Sequence, residues 1–516
     1  MIWLYWLCAV VSVSPVLGVA GWYLWYYNSK VTTSVNCLPG PKPLPFLGNT
    51  WDLLGGFQVL LDVFTEKWLK DHGRLYRVYI GLRPHVVVAS ADLLEVRFDV
   101  VQNKLSILIK VWICRIQLIA LNLIEGSKRK RILFQSAFHL NLLDDFLDAI
   151  NHQSLLLCHK LWNLCREENG CQVDAYSLMS SCALDIVCES AVGCKINCSS
   201  RRKEYVQAAH RICQIIPERF CRPLLRNSLI FYLTPLGWEH ARCLRTLHTF
   251  TNYVVDHGRS MFQKTFRDKK FINLQISLTE WSESSEHRRP FLELVLEAEA
   301  AGAPLTEKDV RDEVDYFLFK GHETIASATS WFLYCIARHQ DHQKTVREEL
   351  DAIFGKNNRP CTLNDVDQMN YLECCIKESM RMYPPSPFMT RQTRYPLNIG
   401  GYEIPAGCDL LILTYALQRD PGFFPDPEDF RPERFHPENC TGLHPHAYIP
   451  FSAEPRDCIG RKSAMFAMTE MKVILSTVLR KFEFMLTPES KKPKPTCQIF
   501  LKPDDGINLL ISVRDR

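Results

Sequence analysis

Residues 451–460 read FSAEPRDCIG. Cys458 stands in a short loop, with Arg456 two residues before it and Gly460 two after. A helix pattern follows at once over residues 461–479. A sulfur near a helix N-terminus and beside an arginine has its thiolate stabilised, and the thiolate is the form that binds metal. On this loop alone an inert, partly buried cysteine is the stronger reading, so the rest of the chain has to decide.

The chain has 516 residues, 47% of them apolar, enough for a sizeable core in one large domain or a few smaller ones. Its net charge of +4 is small for this length and gives no pull toward nucleic acid. The 21 cysteines are scattered and odd in number, which fits a reducing compartment better than a disulfide framework. No Cys-x-x-Cys pair occurs, which argues against a zinc ribbon or a thioredoxin-like site.

Residues 2–27 carry no charge. As a helix they would run roughly 39 Å, against a hydrocarbon core of about 30 Å. Trp3, Tyr5 and Trp6 sit at one end and Trp22, Tyr23, Trp25, Tyr26 and Tyr27 at the other, in the pattern of an aromatic belt. The run is too long for a signal peptide and lacks a basic start. Residues 1–29 are therefore expected to form a transmembrane signal anchor. Lys30 and Lys42 come next and place the body on the cytoplasmic side. Residues 30–48 are expected to be a proline-rich hinge, because four prolines in LPGPKPLPFLGN (38–49) remove donors and stiffen the backbone. Residues 49–516 then form a single catalytic domain.

Long helical patterns dominate that domain. Residues 310–338 contain no proline, and 365–382 form a second helix closed by Pro384-Pro385. Strand-like pieces are short, at 75–80, 86–89, 410–414 and 507–513. The fold class is mainly α with small β-sheets (α+β). Residues 271–289 are polar and read as an exposed loop. Residues 106–124 are apolar, but Lys110 and Arg115 argue for a segment over a pocket rather than a second span.

Upstream of the cysteine lie Glu378-Ser-Met-Arg381 and Pro432-Glu433-Arg434-Phe435. Glu378 and Arg381 are one helical turn apart and can face one partner. The E-x-x-R spacing alone means little, since Glu239/Arg242, Glu286/Arg289 and Glu428/Arg431 share it. Its order matters: ExxR, then Tyr383-Pro384-Pro385, then PERF, then the cysteine. Together these resemble the cytochrome P450 family, whose cysteine loop is written FxxGxRxCxG. The stretch 313–325, EVDYFLFKGHETI, is similar to the oxygen-binding helix of family 4, EVDTFMFEGHDTT. The likeness covers nearly all of residues 38–515.

The resemblance implies the cytochrome P450 fold with an N-terminal transmembrane helix, and haem b with Cys458 as axial iron ligand. Arg456, Arg131 and Arg391 are the expected cofactor-binding residues, Glu323 and Thr324 the catalytic acid–alcohol pair. Glu378, Arg381 and Arg434 form the expected structural frame. Thiolate ligation favours O–O cleavage, so the implied reaction is monooxygenation of a lipophilic substrate such as a fatty acid or other lipid. Electrons would come from NADPH through cytochrome P450 reductase, with cytochrome b5 as a further donor. Arg456, Arg461 and Lys462 are candidates for the docking face. The implied location is the endoplasmic reticulum membrane, single-pass, with the catalytic domain on the cytosolic face.

Three positions depart from the family. Glu454 stands where glycine is usual, Ser127 where a tryptophan would bond a propionate, and Lys320 where family 4 carries a glutamate able to bond haem covalently. Lysine cannot form that ester, so the haem is expected to be removable. These departures keep two alternatives in view: a degenerate haem-binding relative with little turnover, and a haem-thiolate isomerase or dehydratase.

Overall fold

The computed structural model describes residues 21, 29–94, 101–102, 143–166, 171–192, 199–269, 291–300, 302, 305–453, 464–487 and 490–514. The anchor segment (apart from Gly21 and Ser29), residues 106–124, Ser127, Arg131, the loop at 271–289 and residues 454–463 with Glu454, Arg456 and Cys458 lie outside them. Among the described residues no helix is long and apolar enough to cross a membrane.

Among the described residues nine long helices carry the body: α1 (Leu143–Arg166), α2 (Ala175–Val192), α3 (Ser199–Cys221), α4 (Pro235–Lys269), α5 (Phe291–Ala300), α6 (Glu307–Arg338), α7 (Gln340–Phe354), α8 (Asn370–Met382) and α9 (Ala464–Leu479). The helix expected at 310–338 is α6. It starts three residues earlier because Thr306 and Asp309 form a reciprocal capping box. From residue 325 to residue 337 every position is buried, so α6 is surrounded on all sides there. At about 1.5 Å per residue it crosses the whole domain.

The helix expected at 365–382 is two helices. Leu363–Gln368 is set by a capping box of Thr362 and Asp365, and the chain breaks at buried Met369. α8 then begins where the Glu349 carboxylate of α7 accepts the Tyr371 and Leu372 amides at 2.7 and 2.9 Å. A carboxylate from a neighbouring helix makes that second start, so periodicity could not reveal it.

One five-stranded sheet contains β1 (Leu75–Ile80), β2 (Arg83–Val88), β3 (Val101–Gln102), β4 (Met389–Thr393) and β5 (Asp409–Ile412) in the order β1-β2-β5-β4-β3. Only β2 and β5 run parallel. The expected strand at 86–89 starts earlier, at Arg83. Pro84 opposes Tyr79, and pairing with β5 begins only at His85, so the missing proline N–H interrupts no ladder bond. The strand expected at 410–414 ends at Ile412 and passes into a helical turn, Thr414–Leu417. The strand at 507–513 is Asn508–Val513, paired between Cys171–Asp174 and Phe482–Leu486.

Residues 30–48 are not a free hinge throughout. Lys30–Asn36 forms a short helix, and Val35 and Leu38 are buried against the sheet. Arg77 N donates to Pro39 O at 2.8 Å, and Gly48 bridges to Ile80. The folded body therefore reaches back to Ser29. The proline-rich stretch is extended, as its composition dictates, but it is laid along β1.

Candidate active site

Glu378 and Arg381 on α8 are both fully buried. Arg381 donates to both carboxylate oxygens, at 2.7 Å (Nε to Oε2) and 2.9 Å (Nη2 to Oε1). Its remaining donors reach Gln418 O (3.1 Å) and Pro427 O (2.7 Å). Glu378 Oε1 also accepts the Arg431 amide at 2.9 Å, and Arg434 Nε lies 3.4 Å from it. Burying the pair is tolerable because nearly every valence is met. Sequence spacing brought Glu378 and Arg381 together; the PERF turn, Pro432–Phe435, brings Arg434 to them.

This frame holds the segment that runs into the cysteine loop. Gln418 donates to Met380 O and accepts the Ile449 amide. Tyr448 Oη donates to Lys377 O at 3.1 Å. Four residues on, Ser452 has a φ of +68°, in a region costly for a side chain with a Cβ. Arg391 of β4 donates to its hydroxyl at 2.5 Å. Among the described residues of this loop the left-handed turn therefore falls at Ser452; Glu454 lies beyond them.

Across the domain, α6 is buried in its middle except along one stripe. Tyr316, Phe317, Lys320, Gly321 and Thr324 are each partly open, and their spacing puts them on one face. The rest of α6 between Asp312 and Ala337 is buried, so this stripe is the open face of that stretch. Thr324 Oγ1 donates back to Lys320 O at 2.9 Å, yet α6 continues unbroken. Gly321 has a packing role: a Cβ there would meet Val187 of α2 at 2.9 Å. Lys320 Nζ rests 4.6 Å from the centre of the Phe500 ring.

Glu323, next to Thr324, turns away from the open stripe. Its Oε2 accepts from Tyr176 Oη at 2.6 Å and lies 2.6 Å from Lys502 Nζ, with all three groups buried. His322 donates its Nδ1 proton to Leu318 O, and its Nε2 is 3.5 Å from Glu323 Oε1. Glu323 Oε1 has no hydrogen-bond partner among the described residues. Burial alone would raise the Glu323 carboxyl, but the Lys502 ammonium and His322 outweigh it and hold it well below the usual range. Burial and the neighbouring Glu323 push the Tyr176 hydroxyl far up. Lys502 also meets His210 Nδ1 at 3.4 Å, and burial with that ammonium pulls His210 down to about 4.

Sequence reading did not find Tyr176, His210 or Lys502, whose partners lie 147 to 292 residues away in the chain. The one signal was a lysine set between Leu501 and Pro503 in an apolar strand.

The sequence profile of the cytochrome P450 family matches residues 38–511. The chain belongs to that family. Cytochrome P450 4c3 of Drosophila melanogaster is 35% identical over 506 residues, covering 96% of this chain and 93% of that protein. Cytochrome P450 4V2 of Homo sapiens is 35% identical over 495 residues, covering 92% and 90%. Cytochrome P450 4d2 of Drosophila melanogaster is 32% identical over 518 residues, covering 98% and 99%. The chain is thus a cytochrome P450 of the family 4 kind, an oxidoreductase and monooxygenase that binds haem b non-covalently. The observed fold, mainly helical with small sheets, is that of the family.

The described residues suit such a group. Arg391 is a cation placed against Ser452, six positions before Cys458, where an anionic propionate can be met. Lys320 on the open stripe has no carboxyl with which to form an ester. Among the described residues no cluster of His, Cys, Asp and Glu could hold a metal ion.

Proposed function

We propose that the chain is a membrane-associated monooxygenase that inserts one oxygen atom from O2 into a lipophilic substrate, a fatty acid or another lipid. In this reading Cys458 would ligate the haem iron, Arg456, Arg131 and Arg391 would hold the haem, and Glu378, Arg381 and Arg434 brace the segment before the cysteine. The bound haem-thiolate supplies O–O cleavage and oxygen transfer. Thr324 would present its hydroxyl on the open face of α6, and Glu323, the preceding residue, would hold the carboxylate through which protons move. The observation that carries the reading is the open stripe of α6, where Tyr316, Phe317, Lys320, Gly321 and Thr324 share one face. Two aromatic rings on that face suit an apolar ligand.

NADPH through cytochrome P450 reductase is the proposed electron source, with cytochrome b5 as a second donor. The test is a reduced-plus-carbon-monoxide spectrum of the purified protein, then NADPH consumption with reductase and a lipid panel. A thiolate-type Soret band with lipid-stimulated NADPH consumption is expected. Failure to retain haem favours the degenerate alternative, motivated by Glu454, Ser127 and Lys320. A normal spectrum with product formed without NADPH favours the isomerase or dehydratase alternative.

The proposed site of action is the endoplasmic reticulum membrane, with residues 1–29 as anchor, 30–48 as connection and 49–516 as the cytosolic catalytic domain. Support comes from a second feature. Trp51, Leu54, Leu224, Leu229, Leu233 and Trp238 are exposed, from 46% for Leu54 to 79% for Leu229. Arg226 Nη1 donates to Ile80 O at 2.6 Å, tying the segment around 224–238 to the sheet beside the proline-rich stretch. Contiguous exposed apolar groups mark a contact surface. In a chain lacking residues 1–28, Leu229→Ser/Leu233→Ser is expected to lower partition onto phospholipid vesicles about tenfold or more, read by co-sedimentation.

A further inference from the structure

The two-stranded hairpin of Pro495–Cys497 and Leu501–Pro503 lies along α6 and holds it at four points. Phe500 lies under Lys320. Lys502 pairs with Glu323. Leu501 O accepts from Ser327 Oγ at 2.6 Å and from Trp331 Nε1 at 3.3 Å. The Leu501 amide in turn donates to Pro385 O, beyond the end of α8. The hairpin therefore joins the α8 frame to the part of α6 that carries Glu323 and Thr324.

Lys502 is 0% exposed. A buried ammonium survives only with partners, and its partners are specific. Glu323 Oε2 takes one proton at 2.6 Å and His210 Nδ1 another at 3.4 Å, while the Tyr176 ring lies 4.9 Å below. His210 is partly open, and Gln214 is 3.1 Å from its Nε2. A polar line thus runs from the α3 surface through His210 and Lys502 to Glu323, the neighbour of Thr324.

We propose that Lys502 is a positioning residue for the monooxygenase reaction: its ion pair keeps the Glu323 carboxylate charged and turned toward α2 and α3, and so sets how protons reach the Thr324 face. The proposal rests on the family's activity and on the Glu323–Thr324 assignment, and is independent of which lipid is the substrate. The titratable groups facing Glu323 are His322 on α6, Tyr176 on α2, Tyr205, His210 and Cys213 on α3, and Lys502 on the hairpin, with Asp174 just ahead of α2.

With Lys502 present, Glu323 lies below its unfolded value. Its pairing then contributes stability above the unfolded carboxyl pKa of about 4.3 and loses it only on acidification. In Lys502→Met burial is uncompensated and the folded value rises above the unfolded one, so the variant loses stability as pH rises through that range. The Tm gap between wild type and Lys502→Met is therefore expected to widen from about pH 5 to about pH 8. With reductase and any panel lipid that stimulates NADPH consumption, Lys502→Met is expected to divert electrons to peroxide, with product per NADPH down about tenfold and newly pH-dependent. Lys502→Arg is expected to restore both readouts. A Tm gap that is flat with pH, together with wild-type product per NADPH, overturns the proposal.

Should Lys502→Met not fold, Lys502→Met/Glu323→Gln removes both buried charges and is expected to fold. It should match Glu323→Gln alone in product per NADPH. A further tenfold fall in the double variant would place the action of Lys502 elsewhere and overturn the proposal. Absence of a thiolate carbonyl spectrum in the wild type would instead strike the proposed haem site, while the Tm comparison still judges the ion pair.

Discussion

Arg381→Met is expected to destabilise the protein by about 3–5 kcal/mol, because it leaves the Glu378 carboxylate buried with no full counter-charge. Arg434 is the only other described cation within 4 Å of that carboxylate, and it lies farther away, at 3.4 Å. The loss does not stop at the ion pair. Arg381 also binds Gln418 O and Pro427 O, and Gln418 holds the Ile449 amide, so the chain entering the cysteine loop loses its support. Thermal unfolding and haem content, measured together, check this: both should fall. The double variant Glu378→Met/Arg381→Met should recover part of the stability, since no unpaired charge stays buried. Haem content should remain low in it, because the bonds to Gln418 and Pro427 are still missing. Full haem content in Arg381→Met would show that the frame does not govern the loop.

Cys458→Ala is expected to abolish monooxygenation and to remove the thiolate-type band from the reduced carbon-monoxide spectrum. A thiolate pushes electron density to the iron, and alanine offers no ligand at all. Two controls separate this from a general fault of folding. Cys440→Ala changes a partly buried cysteine whose Sγ donates to Arg434 O, so it should keep the band. The far-ultraviolet helical signal of Cys458→Ala should stay close to that of wild type, since the substitution leaves unchanged the apolar core in which Trp331 and Tyr334 of α6 pack against Tyr383 at the end of α8. A Cys458→Ala protein that still gave the thiolate band would place the ligand at another of the 21 cysteines.

The residues legible from sequence were those whose meaning is carried by short spacing. Glu378 and Arg381 share a helix turn. Thr324 bonds Lys320 four residues back. The limits of β1 follow from Gly73 and Gly81, whose positive φ values end the flanking turns. The break at Met369 was not legible, because Glu349 on another helix makes it. Nor was the docking of residues 30–48 on the sheet, with Val35 and Leu38 buried there, because a proline-rich stretch looks the same whether it is free or laid along a strand. The expectation for Glu323 was incomplete in the same way. Its place beside Thr324 suggested a carboxyl facing the reaction space, but the structure turns it toward Lys502 and Tyr176.

By itself, then, the sequence determined the family, the order of ExxR, PERF and cysteine motifs and the long helix, since each depends on contacts within a turn or on an ordered string of motifs. Tertiary structure alone decided which charges neutralise which. A buried ion pair between α6 and the C-terminal hairpin costs desolvation at both ends and is stable only if folding brings the two within about 3 Å. Nothing in the chain near Glu323 or near Lys502 encodes that meeting; the packing of α2, α3 and the hairpin around α6 does.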